Sequence, residues 1–347
     1  MKKILKIGDH YIGEKAASYV IAEAGSNHNG SLSLAKELID AASLAGASAV
    51  KFQSFTAEGL VNPLRPDGKG GWEREPAFDV LEGLTIPWPW HLELKSMAES
   101  RGMDFLSTPF STEVAELLYL AGIKAFKIAS GDINNEPLLR VVASYGRPVI
   151  LSTGASYMNE VEEAVSILTE AGAAEIALLH CSSLYPPDFN SVNLRAMNTL
   201  AERFSCPVGI SDHTPGLAVT LGAVAMGAKI VEKHLTLDRK MTGPDHACSM
   251  EPVEFEQMVR EIRHLEEAMG SPIKKPSAAE LAERTGARRG IYVNMDIKKE
   301  TLITGEMVKV VRHAYGLEPK ALKDVLGMRA ARNLTKDMPL GWEDLCR

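Results

Sequence analysis

The sequence predicts an α/β protein: a (β/α)8 TIM barrel over residues 1–269, a linker over 270–284 and a small β-rich module over 285–347. Three observations lead there. Eight short apolar runs alternate with helical stretches over about 240 residues, and no run is followed by the GxGxxG loop of a doubly wound sheet. The composition changes abruptly at Gly270-Ser271-Pro272-Ile273-Lys274-Lys275-Pro276-Ser277, which has two prolines and two lysines. A chain of 347 residues also suits one barrel-sized domain and a small companion.

The eight runs are Tyr19 to Glu23, Ser48 to Gln53, Met103 to Thr108, Ala125 to Ser130, Pro148 to Thr153, Ile176 to His180, Val208 to His213 and Lys229 to His234. Their near-continuous apolar character is that of parallel strands buried on both faces. Between them, segments such as Ser33 to Ala45, Glu160 to Ala171 and Glu254 to Met269 repeat apolar residues at i, i+3 and i+4. Beyond the linker, Arg289 to Val293, the Ile297 to Ile303 region and Val308 to Val311 read as short strands.

Composition narrows the function classes. A net charge of −7 argues against a general nucleic-acid binder, but leaves room for a local cationic cluster that holds a small anion. The first ten residues contain no apolar run of a signal peptide, and nowhere do eighteen apolar residues follow one another. Cys181, Cys206, Cys248 and Cys346 form no CxxC pair and read as reduced thiols. A cytoplasmic protein without membrane or nucleic-acid partners is expected.

A barrel of this kind carries its site at the C-terminal strand ends. Those ends supply Glu23, Lys51, Gln53, Thr108, Lys127, Ser130, Ser152, Thr153, His180, Asp212, His213, Glu232 and His234. A lysine is ordinarily a solvated surface charge. Lys51 and Lys127, however, close apolar strands, where with Thr108, Ser130 and Ser152 they suit a phosphate and a carboxylate. A lone histidine is ordinarily a satisfied polar group, but His213 and His234 end adjacent strands beside Asp212 and Glu232. Such a pair fits a divalent ion with open positions left for substrate. Glu23 is either an acceptor for the backbone of its own loop or a group that orients hydroxyls and moves a proton.

With these residues assembled, the sequence resembles the sialic acid synthase family. The matching motifs include Ile21-Ala22-Glu23-Ala24-Gly25-Ser26-Asn27-His28-Asn29-Gly30, Lys51-Phe52-Gln53, Ser107-Thr108-Pro109-Phe110-Ser111 and Lys127-Ile128-Ala129-Ser130-Gly131-Asp132. Further matches are Leu151-Ser152-Thr153-Gly154, Gly209-Ile210-Ser211-Asp212-His213-Thr214, Glu232-Lys233-His234 and Gly243-Pro244-Asp245-His246. The C-terminal module resembles an antifreeze-like (SAF) domain.

The resemblance implies condensation of phosphoenolpyruvate with N-acetylmannosamine or a close mannose-type sugar, with phosphate lost by C–O cleavage. Legionaminic, pseudaminic and KDN-type synthases are variants within the class, and a metal-dependent pyruvate aldolase is the alternative outside it. By motif position Lys51, Thr108, Lys127, Ser130, Ser152 and Tyr185 would hold phosphoenolpyruvate. Glu23, Gln53 and Asp245 would meet the sugar. His213 and His234 would bind the ion, with Mn²⁺ first and Mg²⁺, Co²⁺ or Zn²⁺ as alternatives. The resemblance also implies a domain-swapped homodimer in which Arg312 reaches the sugar's acyl group. Three positions depart from the family pattern: Ser183 stands where Asn is frequent, Asp132 where Glu is frequent, and Arg312 lacks the usual Arg-Pro-Gly context.

Overall fold

The computed structural model describes residues 3–173 and 175–347, which divide into two compact units, Met1–Gly270 and Ser271–Arg347. In the first, eight strands form one sheet: β1 (Tyr19–Gly25), β2 (Ala49–Ser54), β3 (Asp104–Pro109), β4 (Phe126–Ile128), β5 (Val149–Ser152), β6 (Ile176–Cys181), β7 (Val208–Asp212) and β8 (Ile230–His234). The hydrogen-bonded order is β3-β2-β1-β8-β7-β6-β5-β4, with every pairing parallel. The two ends of that order, β3 and β4, are neighbours in space, so the sheet closes as a barrel.

The strands work as a barrel wall because their residues alternate between two faces. Outward residues such as Val20, Ala22, Val50, Phe52, Phe105, Phe126, Leu151, Leu178, Ile210 and Val231 join the core shared with the surrounding helices. Inward residues near the strand starts, including Tyr19, Ile21, Ala49, Leu106, Ala125, Ile150, Ala177, Leu179 and Ile230, form a second apolar cluster. Leu5, Ile7 and Ile12 complete that cluster from an N-terminal hairpin, Leu5–Ile7 paired with His10–Ile12. The hairpin therefore seals one end of the barrel. Its three-residue strands are too short to show a period in the sequence. At this end Tyr19 Oη donates to Asp104 Oδ2 (2.8 Å), which also meets His10 Nδ1 (3.0 Å).

Local chemistry sets the helix boundaries. Ser31 accepts the Leu34 N–H to start Leu32–Leu44, and Glu254 Oε2 accepts the Glu251 N–H (3.1 Å) at the start of Pro252–Met269. The segment between β2 and Trp88–Ser100 holds a further small hairpin, Leu64–Pro66 with Trp72–Arg74, which the sequence pattern did not mark.

Three expectations change. The run Ala125 to Ser130 is a strand only over Phe126–Ile128, because Ser130–Asp132 turns into a 3-10 helix. The linker is not irregular throughout: Ala278–Ala287 is helical, started by the Ser277–Glu280 capping box that follows Pro276. In the C-terminal unit, Arg289–Val293 pairs with Val308–Arg312, whereas the Ile297 to Ile303 region makes only isolated bridges, to Leu334 and Arg329. Ile291, Val293, Ile297, Ile303, Val325, Leu334 and Leu340 form this unit's own core. No helix among the described residues is long and apolar enough to cross a membrane.

Two consequences can be measured. A Cβ at Gly209 would be driven into the backbone carbonyl of Ile230, which the β7–β8 ladder holds in place. Gly209→Ala should therefore destabilise the protein by about 1–3 kcal/mol in urea titrations. His28 is buried, and that burial, with His91 nearby, lowers its pKa from 6.5 to about 4. The unfolded chain thus takes up the proton first, so stability is full above pH 6.5 and declines as the pH falls towards 4. Thermal midpoints should drop between pH 7.5 and 5, and drop less in His28→Gln.

Candidate active site

The same alternation that builds the apolar layer puts polar residues one step further along each strand. Glu23, Lys51, Thr108, Lys127, Ser152, Cys181, Ser211, Glu232 and His234 line a cavity of about 190 Å³ at the C-terminal strand ends. Gln53, Ser130, Ser183, Tyr185 and His213 complete its wall. Ten of the twelve sequence candidates therefore meet in one place. Asp245 reaches the same region from the loop after β8: a Cβ on Gly25 would lie 3.1 Å from Asp245 Oδ2, 3.0 Å from Glu23 Oε1 and 3.3 Å from Gln53 Nε2. Gly25 also adopts a positive φ of 46°, at the bulge in the β1–β2 ladder. Arg312 ends a strand of the C-terminal unit, exposed and opposite Arg289.

The centre of the cavity is a charge lattice. Lys51 Nζ lies 2.5 Å from Glu23 Oε2 and 3.9 Å from Glu232 Oε2, and Lys127 Nζ lies 3.6 Å from Glu232 Oε1. Gln53 Nε2 donates to Glu23 Oε1 (3.0 Å), and Ser211 Oγ donates to Glu232 Oε1 (3.0 Å). Burial alone would lower the Lys51 pKa, but Glu23 and Glu232 outweigh it and hold it above the ordinary lysine value. Burial also pulls Lys127 down, and there Glu232 only partly offsets it. Burial would raise Glu232, yet Lys127 and Lys51 bring it down to about 2, so this carboxylate stays ionised.

Around the lysines the hydroxyls are already oriented. Lys51 Nζ donates to Thr108 Oγ1 (3.2 Å), Lys127 Nζ to Ser152 Oγ (2.7 Å) and the Gly154 N–H to Ser130 Oγ (2.9 Å). Each oxygen accepts, which leaves its own proton to donate to an anion. Gly154 has no room for a side chain, since a Cβ there would collide with Ser183 Oγ and Ser130 Oγ.

On the other side, the His213 and His234 rings are 5.3 Å apart, and Tyr185 lies 4.1 Å from the His213 ring. Burial, reinforced by His234, lowers the His213 pKa to about 4, so its ring is neutral near pH 7. With Nδ1–H donated to the Ser182 carbonyl (2.9 Å), its Nε2 lone pair is left available. His234 Nδ1 is buried without a hydrogen-bond partner, 3.8 Å from Asp245 Oδ2. Two facing imidazoles, one with an orphaned nitrogen, fit a divalent ion completed by water or substrate. No group of three or more His, Cys, Asp or Glu among the described residues forms a closed metal cage.

Several strand-end residues do other work. His180 Nε2 pairs with the Val192 carbonyl (2.6 Å), and Thr153 Oγ1 donates to the Leu179 carbonyl (3.0 Å). Asp212 points away from the cavity, into a buried network with Thr214, Thr220 and Lys233. Sequence reasoning placed Glu232 beside the histidines, whereas it sits between the lysines, and it did not single out Ser211. The period-2 count from Ile230 and Gly209 carries both signals.

A model of the NeuB family matches residues 38–274, and a SAF domain model matches residues 288–345. The chain is 40% identical over 341 residues to the N,N'-diacetyllegionaminic acid synthase of Legionella pneumophila, covering 96% of both. It is 34% identical over 334 residues to the pseudaminic acid synthase of Campylobacter jejuni (strain ATCC 700819), covering 95% of this chain and 96% of that one. The structure of N-acetylneuraminic acid synthetase from Leptospira borgpetersenii, in complex with citrate, superposes with a TM-score of 0.73 at 36% identity, over 81% of this chain and 94% of that one. With the barrel, the lysine–carboxylate lattice and the histidine pair, these matches show that the chain belongs to the NeuB family of sialic acid synthases and carries a SAF domain at its C-terminal end.

Proposed function

We propose that the protein condenses phosphoenolpyruvate with an N-acylated mannose-type sugar to make a nonulosonic acid. The observation that carries this reading is the pair of buried lysines with hydroxyl donors on one side of the cavity and the histidine pair on the other. The Legionella relative is an N,N'-diacetyllegionaminic acid synthase, which favours a sugar with two acetylated amino groups over N-acetylmannosamine itself.

In this reading Lys51, Lys127, Thr108, Ser130 and Ser152 hold the phosphate and carboxylate of phosphoenolpyruvate. The C2=C3 π pair of phosphoenolpyruvate forms the bond from carbon 3 to the sugar's aldehyde carbon, while the carbonyl π pair moves onto oxygen, which takes a proton. Water adds at the electron-poor carbon 2 and gives up a proton, and the new hydroxyl then loses its proton and becomes the keto group as the C2–O bond to phosphate breaks. Glu23, fixed by Gln53 and Lys51, orients sugar hydroxyls and is the group placed to move a proton.

Charge balance supports an ion at the histidines. Lys51 and Lys127 are already countered by Glu23 and Glu232, so bound phosphoenolpyruvate leaves net negative charge in a buried site. His213 and His234 would hold the divalent ion, Mn²⁺ in our reading, which supplies Lewis-acid polarisation of the aldehyde oxygen.

The four cysteines are free, which suits a reducing cytoplasm. We also infer a domain-swapped homodimer in which Arg312 contacts the acyl group. Its exposed place at a strand end of the C-terminal unit suits such a contact.

Phosphate release from phosphoenolpyruvate with Mn²⁺, compared across N-acetylmannosamine, its 6-phosphate and the diacetylated hexosamine, tests the function. Sugar-dependent, chelator-sensitive release is expected; release without sugar dependence overturns it. Lys127→Ala should raise the phosphoenolpyruvate KM by at least about tenfold, as loss of a charged hydrogen-bond donor costs about 1.5–3 kcal/mol. His234→Ala should lose Mn²⁺-dependent turnover while still binding phosphoenolpyruvate by calorimetry, and normal turnover would remove this residue from the site.

A further inference from the structure

On the outer face of the barrel, Asp212 of β7 and Lys233 of β8 are each no more than 3% exposed. Asp212 Oδ1 accepts the Thr214 N–H (2.9 Å) and the Thr214 hydroxyl (2.8 Å). Its Oδ2 accepts the Thr220 hydroxyl (2.7 Å) and Lys233 Nζ (2.8 Å). Lys233 Nζ also donates to the Thr214 carbonyl. All four lone-pair positions of the carboxylate are thus filled from three elements: β8, the turn after β7 and the helix Ala218–Ala225, which carries Thr220.

This lattice touches nothing in the cavity, yet its members flank both histidines. Asp212 and Thr214 pin the backbone on either side of His213, and Lys233 is the residue before His234. Across the β7–β8 ladder Asp212 is in register with Lys233, so the clamp fixes the spacing of the two strand ends. Hydrogen bonds to a carboxylate whose acceptor positions are all filled hold the elements that supply them in a fixed geometry.

We propose that Asp212, Lys233, Thr214 and Thr220 form a positioning clamp that sets the distance and orientation of His213 relative to His234, and thereby the protein's affinity for a divalent ion. None of the four is a catalytic residue. The proposal rests on the histidine pair being the ion site.

The test measures Mn²⁺ binding to the full-length protein by equilibrium dialysis, and phosphoenolpyruvate binding by calorimetry without Mn²⁺. Thr220→Val, which keeps the charge pair, and the paired change Asp212→Asn with Lys233→Met are compared with wild type, with circular dichroism reporting the folded fraction. Folded variants should bind Mn²⁺ about 10- to 100-fold more weakly. Their phosphoenolpyruvate affinity should stay within about threefold, and Thr220→Ser should restore wild-type Mn²⁺ binding. If the paired change does not fold, Thr220→Val and Thr220→Ser carry the test alone. Unchanged Mn²⁺ affinity in folded Thr220→Val overturns the clamp, as does an equal loss of both ligands. His213→Ala that binds Mn²⁺ like wild type overturns the ion site and the clamp with it.

Discussion

The structure of the site depends on a single carboxylate, Glu232, set between two buried lysines. Two ammonium groups facing one cavity at the bottom of a polar layer would repel one another and would lose most of their hydration. Glu232 is shared between them, and Ser211 fixes the oxygen that faces Lys127. Glu23 takes the remaining share of Lys51. The lattice is thereby balanced, two positive side chains against two negative ones. The same balance keeps the lysines in place as anion donors without the cost of an isolated buried charge.

That arrangement needs a rigid frame, and the barrel supplies it through alternation. Inward strand positions are apolar near the sealed end, Asp104 apart, and polar near the open end, while the outward apolar positions pack on helices. Lys51 can be buried because ladders on both sides of β2 fix its register, and Lys127 because β4 is laddered to β5 and packed beside β3. A slip of one residue would exchange Lys51 for Phe52 at the cavity and put a lysine into the helical layer.

This period explains what could be read from the sequence. The eight strands, their order along the chain and nine of the cavity residues follow from apolar runs ending in polar residues. Ser211 and Glu232 follow from the same count once inward and outward positions are separated. Asp212 illustrates the opposite case: it ends a strand, as a site residue should, yet its parity puts it outside. The N-terminal hairpin and the Leu64–Pro66 hairpin were not legible, because three-residue strands are too short to show a period. The helix Ala278–Ala287 was hidden by the proline-rich segment before it, although Ser277 and Glu280 carry a capping-box signature.

The division of labour between the two faces also accounts for the motif Glu232-Lys233-His234. Successive residues of one strand serve opposite sides of the wall, so Glu232 and His234 share the cavity while Lys233 is tied to Asp212 behind it. Chemistry at the inner face and anchorage at the outer face are thus separated by a single peptide unit. A strand built this way cannot relax one function without moving the other, because a rigid backbone transmits the position of Lys233 directly to its two neighbours. Loops lack that coupling. Asp245 is presented by a loop that the Asn27–Ser249 and Thr236–His246 bonds hold from the side. In the proposed reading, strands set the end of the cavity that would hold phosphoenolpyruvate, and the end that would hold the sugar is set partly by loops.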